Sequence, residues 1–354
     1  MLNLNTAKEA LDKVIQKSRV HLYKPIQVAE ILFRDRVFQD ISLEEKETYR
    51  NPSKKWRDEI CKIFLGRIST SSQKYQDDVF NNHATPPKVL AELGRENKNK
   101  GGIVESYIYR HFFTKYAQLT AALNYCLQAK PETFELSVFL DSFREQSGLK
   151  RSIDKIYEIV TYSLFSVLVD VLDAKVTLSI DRDKLDILKE FEEFAKLVLG
   201  IDSSNPSCVQ PANLYRVGVT NAADRGLDMW ANFGPAIQVK HLSLDEELAD
   251  DIIETVAADR IIIVCKSSEE KLLLSVTNQL GLRNRIQGII TEDNLNSWYE
   301  KALTGSYSHL TRDKILKNLT LEIKAEFPAA DKATQESFFN ERGYTGISDS
   351  FWEI

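Results

Sequence analysis

Two short runs in this chain hold the side chains that metal-dependent phosphodiester hydrolysis calls for: Asp224-Arg225-Gly226-Leu227-Asp228, and then Gln238-Val239-Lys240. Breaking a phosphodiester near neutral pH takes a cation to neutralise developing charge and to lower the pKa of a bound water. Mg2+ suits that role and takes carboxylate and carbonyl oxygens as ligands. Asp228 is the natural anchor for such an ion. The Gln238 amide oxygen and the Val239 backbone carbonyl complete a candidate ligand set. Lys240 is the candidate to orient the attacking water or to stabilise the pentavalent phosphorane.

These groups act together only if the backbone brings them together. The segment reads as two strands, residues 227–232 and 236–242, hinged at Phe233-Gly234-Pro235, where glycine allows an unusual backbone angle and proline interrupts the ladder. Side chains alternate along a strand, so Gln238 and Lys240 share one face while Ile237, Val239 and His241 take the other. Asp228 joins the first face only if the loop is centred on Phe233, opposing it to Gln238, or on Gly234, opposing it to Lys240. A slip of one residue would destroy the site.

The pattern resembles the PD-(D/E)XK nuclease superfamily, in particular the Mrr-like variant in which Asp-x-Gly-x-Asp leads into Gln-x-Lys. Gln238 stands where the commoner motif has an acid, which removes one negative charge from the site. The superfamily often draws a further carboxylate from an early core helix, and the resemblance assigns that place to Glu158, in the helical run 155–165. A glutamate on a helix is otherwise usually just solvated.

The residues after Lys240 suit such a core. Ser243-Leu244-Asp245-Glu246 reads as a capping box opening an acidic helix to about Ala258, and residues 260–265 form an apolar run suited to a buried strand. The alternation repeats with a helix capped at residues 267–270 and ending at Gly281, a strand over 285–290, and a helix from Thr291 through Trp298. The predicted fold is α/β, a mixed sheet flanked by helices of the restriction endonuclease-like kind, preceded by a mostly helical amino-terminal region.

Composition agrees with a globular protein: 354 residues, 43% hydrophobic and 28% charged. No apolar run is long enough to span a bilayer, and the first residues lack a signal-peptide pattern. Cys61, Cys126, Cys208 and Cys265 are scattered, which points to a reduced, cytoplasmic protein without a structural zinc. The net charge of −6 is unevenly spread: residues 1–130 hold 22 Lys and Arg against 15 Asp and Glu, net +7, leaving −13 for the rest. A basic region ahead of an acidic core is the footprint of a module that contacts phosphates. The expected division is therefore a DNA-contacting region over 1–130 and a nuclease core with a carboxyl-terminal helical extension over 131–354.

Within the basic region, Arg50, Lys54, Lys55 and Arg57 surround Trp56, and Pro52 suits the first turn of a helix continuing through Leu65. Residues 69–76 then give a polar loop in which Ser71, Ser72, Gln73 and Lys74 are the types that bond phosphate oxygens and base edges. On composition alone a solvated helix face and an ordinary polar turn are the better reading, and the nuclease motif reverses that in favour of DNA contact. Residues 19–32 read as a loop into a short amphipathic helix whose apolar positions pack.

The runs His21 to Gln27, Thr48 to Lys54, Ser69 to Asp77 and Gly102 to Tyr109 resemble the amino-terminal half of HaeII-type restriction endonucleases. With the Asp228 and Gln238-Val239-Lys240 motif, the resemblance covers most of the chain. It implies a Type II enzyme that binds a short GC-rich palindrome in double-stranded DNA and cuts both strands with Mg2+. Cutting a two-fold site on both strands is most simply done by a homodimer. Two other readings remain: an Mrr-like nuclease acting on modified or structured DNA, and a DNA-binding regulator with a degenerate core.

Other chemistries fit poorly. The five histidines show no paired ligand spacing, and His241 is expected to face away from Lys240. Gly101-Gly102 lacks the glycine spacing and lysine of a nucleotide cradle, so no nucleotide cofactor is expected. There is no Gly-x-Ser-x-Gly elbow. Phe112, Phe113, Tyr116 and Leu119 have helical spacing and are read as core.

Overall fold

The computed structural model describes residues 2–146, 148–217, 227–278, 285–327 and 332–354; Asp224, Arg225 and Gly226 of the first motif therefore lie outside the described residues. The chain divides into two compact units. One takes in Met1–Ile156 and Thr320–Ile354, the other Tyr157–Val217 and Asp224–Leu319. The first unit thus runs on to Ile156 and takes in the last 35 residues.

The first unit is built on helices α1 (Leu4–Lys17), α2 (Tyr23–Val37), α3 (Pro52–Leu65), α4 (Gln73–Asp77), α5 (Pro87–Asn99), α6 (Ile103–Gln128) and α7 (Leu136–Glu145). Their ends follow from local chemistry. Asn3 caps α1 by accepting from the Thr6 amide at 2.8 Å, and Pro52 occupies the first turn of α3, which stops at Gly66 with φ +63°. Asn97 caps α6 at a distance in sequence, its Oδ1 accepting from the Val104 and Glu105 amides at 3.1 and 3.2 Å. Phe112, Tyr116 and Leu119 are buried as expected. Helix α2 differs from its reading as a short amphipathic helix: it runs 15 residues, and Pro25 through Leu32 are all buried, including Gln27 and Glu30.

Helix α8 (Ile153–Val171) leads into the second unit. A two-stranded antiparallel sheet, β1 (Lys175–Ser179) with β2 (Ser207–Pro211), brackets the short helices α9 (Leu185–Glu190) and α10 (Glu192–Phe194). No sequence signal had pointed to this pair. Then come β3 (Leu214–Arg216), β4 (Met229–Ala231), β5 (Ala236–Val239), α11 (Glu246–Thr255), β6 (Ile261–Cys265), α12 (Glu270–Asn278), β7 (Ile286–Thr291), α13 (Glu292–Thr304) and α14 (Ser308–Glu326). Helix α15 (Lys332–Glu341) follows in the first unit.

The strands form one mixed sheet in the order β3-β4-β5-β6-β7, antiparallel from β3 to β5 and parallel from β5 to β7. This is the expected α/β layering. Every residue of β5 is buried, as suits a strand covered on both faces. Ile252 of α11, Val276 of α12 and Ile261 and Ile263 of β6 meet in one apolar cluster. One boundary moved. Leu244 is buried and its amide bonds the Ser267 carbonyl at 2.7 Å, which holds the chain extended past Ser243. Asp245, not Ser243, then caps α11 through the Leu248 amide at 2.9 Å. Thr291 does cap α13, with Asn294 closing the box, but the helix continues to Thr304.

Candidate active site

The hairpin register decides whether the motif residues meet. Met229 opposes Ile237 and Trp230 opposes Ala236. The turn is tied by Ala231 N–H to the Pro235 carbonyl and Gly234 N–H to the Ala231 carbonyl, both at 3.0 Å. Gly234 sits at φ +117°, a region that glycine enters without strain. The loop is therefore centred on Phe233, and one more step of the register sets Asp228 against Gln238, on one face.

Two backbone contacts fix Asp228. Its carbonyl accepts from the Val217 amide at 2.9 Å, and its carboxylate Oδ2 accepts from the Val239 amide at 2.8 Å. The acid is thereby fastened to the carboxyl end of β5, between Gln238 and Lys240 in the chain. Gln238 is only 4% exposed, and among the described residues its Oε1 has no hydrogen-bond partner. An unsatisfied buried acceptor of this kind costs about 1–3 kcal/mol. Lys240 is half-buried, and its N–H bonds the Val264 carbonyl at 2.7 Å, so its backbone extends the ladder one residue past β5.

The donors gathered here, a carboxylate, a buried amide oxygen and a main-chain carbonyl, are all oxygen, the set a hard divalent cation prefers. The orphaned Gln238 oxygen fits such an ion, which would satisfy it. Among the described residues there is no group of three or more His, Cys, Asp or Glu side chains that could hold a metal.

Glu158 lies in the second turn of α8 and is 5% exposed, so it is not a solvated helix residue. Its neighbour Tyr157 donates to the Glu292 carboxylate, Tyr299 donates to the Val160 carbonyl at 2.8 Å, and Phe165 packs on Trp298. These contacts lay α8 along α13. The Glu292 amide in turn bonds the Lys266 carbonyl, just past β6, at 3.3 Å. The early turns of α8 are thus near the carboxyl ends of the parallel strands, the edge where Asp228 and Lys240 stand beyond β5. Ligands of open α/β sheets characteristically bind at that edge.

Two features at this edge and face escaped the sequence reading. Glu292, 9% exposed, looks in sequence like an ordinary acid in a helix's first turn; only the Tyr157 contact marks it. Tyr215 and Trp230 are paired across β3 and β4 and stack with ring centroids 4.4 Å apart. Trp230 is two residues from Asp228 on the same strand and so on its face. An aromatic at i+2 from the acid was the signal available.

The basic region is arranged less simply than its composition suggested. Lys55, Ser72, Gln73 and Lys74 are exposed, and Ser71 is half-buried. Gln73 and Lys74 open helix α4 instead of lying in a loop, and Ser72 caps that helix through the Tyr75 amide at 3.3 Å. Arg50 and Lys54 both reach Asp77, at 2.7 and 2.8 Å, clamping α4 to α3. Burial alone would raise the Asp77 carboxyl, but the hydrogen bonds from Lys54 and Arg50 outweigh it and hold the group below its ordinary value. Arg57 corrects the expectation of a phosphate contact: it is 1% exposed. Its guanidinium bonds Asp58 at 2.6 Å and Gln27 and Gln76 at 3.2 Å. On α3 its position points inward, which the run of cations concealed.

A mixed sheet flanked by helices, with a carboxylate, an amide and a lysine at the end of its hairpin strand, is compatible with an α/β nuclease-like core. Residues 7–344 match the profile of the HaeII restriction endonuclease family. The Type II restriction enzyme HaeII of Haemophilus aegyptius is 56% identical over 349 residues, 99% of each chain. The Type II restriction enzyme NgoBI of Neisseria gonorrhoeae is 52% identical over 339 residues, 96% of each. The chain belongs to the HaeII restriction endonuclease family. No solved structure matches it.

Proposed function

We propose that this chain is a Type II restriction endonuclease of the PD-(D/E)XK superfamily that hydrolyses both strands of double-stranded DNA at a short GC-rich palindrome, with Mg2+. Membership of a restriction endonuclease family supports the reaction class. The observation that carries the site is the Asp228 carboxylate bonded to the Val239 amide at 2.8 Å, beside the buried oxygen of Gln238, which has no partner among the described residues. Bound Mg2+ would supply the positive charge that stabilises the transition state and acidifies a water.

The protein's part is to hold and aim. Asp228, Gln238 and the Val239 carbonyl would hold the ion, Lys240 would position the attacking water and the non-bridging phosphate oxygens, and Glu158 would add a carboxylate from α8. Residues 1–130 would contact DNA, with Lys55, Lys74, Gln73, Ser72 and Ser71 reaching the duplex, and residues 131–354 would carry the chemistry. A homodimer acting in the cytoplasm completes the reading.

The test is an unmodified plasmid of known sequence, incubated with the protein in Mg2+ or in chelator, with the fragment ends mapped. Discrete fragments sharing one palindrome, formed only with the ion, are expected. Cutting confined to modified DNA would replace this reading with an Mrr-like one, and binding without cutting would make the chain a regulator.

A further inference from the structure

The segment from β1 to β2 encloses only a small apolar cluster, centred on Leu188, Ala195 and Ile201. Beside that inner face runs a second apolar stripe, along α9, α10 and the wide helical turn Ala195–Leu199 that continues them. Ile187, Phe191, Phe194 and Val198 recur at i, i+4, i+7 and i+11, the spacing of one helix face. They are 55, 56, 55 and 63% exposed, and Leu197 alongside them is 79% exposed. A face this apolar left in water is costly, and it marks an interaction surface.

We propose that this stripe is where a second copy of the chain docks. The proposal rests on the reading of the protein as an enzyme that cuts both strands of a two-fold site, and it names the surface that reading leaves open. Area supports a protein partner. At roughly 200 Å2 for a large exposed side chain, the five residues leave on the order of 600 Å2 of apolar surface uncovered. That is at the upper end for the largest patch of a monomer, about 300–600 Å2. With interfaces about 60% apolar, it implies roughly 1,000 Å2 per partner, above the ~800 Å2 of a standard-size interface.

Charge argues against DNA as the occupant. Residues 181–199 carry six Asp and Glu against four Lys and Arg, a net negative stretch that repels phosphate. A two-fold contact needs one patch that complements itself, and an apolar stripe does so without directional pairing. The segment is also inserted between α8 and β3, in the unit that carries Asp228, so docking there pairs two catalytic units.

The experiment is sedimentation equilibrium of the full chain without DNA. The wild type is expected at twice the chain mass. The double variant Phe191→Asp/Phe194→Asp is expected to self-associate at least about a hundredfold more weakly, the loss of two hot-spot side chains. Its circular dichroism should be unchanged, since both positions are exposed. Leu197→Ser serves as a milder variant if the double one fails to fold, and Lys189→Gln, on the polar face, should leave the mass unaltered.

A wild type that stays monomeric overturns the proposal, as does a dimer that survives the substitutions. In the monomeric case, loss of DNA binding in the variant would assign the stripe to DNA, and a lowered melting temperature would assign it to another part of the same chain. Plasmid cutting separates the two readings. Discrete fragments from a monomeric protein sink the docking surface and spare the nuclease. A dimer that the variant dissociates but that never cuts DNA does the reverse.

Discussion

In the helical unit, Glu105 is 0% exposed and its carboxylate is closed on all sides: Arg36 grips both oxygens at 2.8 and 2.9 Å, Asn97 donates to one, and Tyr344 donates to the other at 2.6 Å. In the sheet unit, the Gln238 amide is nearly as buried and, among the described residues, its oxygen is left open. A closed polar network stabilises and specifies a fold. An open acceptor beside a carboxylate is destabilising unless something binds it, so the two environments should answer substitution in opposite ways.

The largest effect should come from the open site. Asp228→Asn and Lys240→Ala are each expected to lower Mg2+-dependent plasmid cleavage a hundredfold or more, with thermal unfolding and DNA retention in gel shifts unchanged. If both variants cut at the wild-type rate, the catalytic assignment is wrong and the hairpin is only structural.

Glu105→Gln should do the converse. Opening that network leaves the Arg36 charge uncompensated and should cost about 3 kcal/mol or more of unfolding free energy, as broken buried pairs do. Urea denaturation measures this, and cleavage per folded molecule should hold well below the transition. A drop in turnover without a drop in stability would erase the contrast between the units.

The helical unit should also be the acid-sensitive one. Burial, with Arg67 adding to it, lowers the His21 pKa to about 3, and burial lowers that of His111 to about 4. Between pH 6.5 and 4 the unfolded chain takes up protons that these folded histidines refuse, so stability falls as pH drops through that window and returns above it. Melting temperatures at pH 7, 5.5 and 4.5, followed by helical circular dichroism, should decline in that order; identical values would count against the buried placement of both rings.

A smaller effect sharpens the open site itself. Gln238→Glu adds a negative ligand where the ion is expected, so the Mg2+ concentration for half-maximal cleavage should fall several-fold. An unchanged requirement would mean that the buried oxygen does not face the ion. The smallest effect concerns the exposed cations of the helical unit. Lys55→Ala with Lys74→Ala should flatten the log–log salt dependence of DNA binding by about 0.9 for each phosphate that is no longer neutralised. A slope that does not move would return both lysines to a solvated surface.

Much of this arrangement was legible before folding. The alternation of strand and helix after Lys240, the start of α3 at Pro52, the cap at Thr291 and the runs shared with HaeII-type enzymes depend on neighbours within a few residues, which a sequence displays directly. The hairpin could be drawn from Phe233-Gly234-Pro235, but not its register, because loops centred on Phe233 or on Gly234 were both compatible with the residues. Tertiary pairing chose the first, and with it the bond between Asp228 and the Val239 amide.

Arg57 reads like its neighbours Lys54 and Lys55, yet it turns inward because Gln27, Asp58 and Gln76 wait there. The carboxyl-terminal residues joined the helical unit because Arg342 and Tyr344 meet Glu30 and Glu105, partners more than two hundred residues away. Local pattern determined which elements form and which residue types each offers. Which of those residues are buried, paired or left open depends on contacts distant in sequence, and only the folded chain brings those partners within reach.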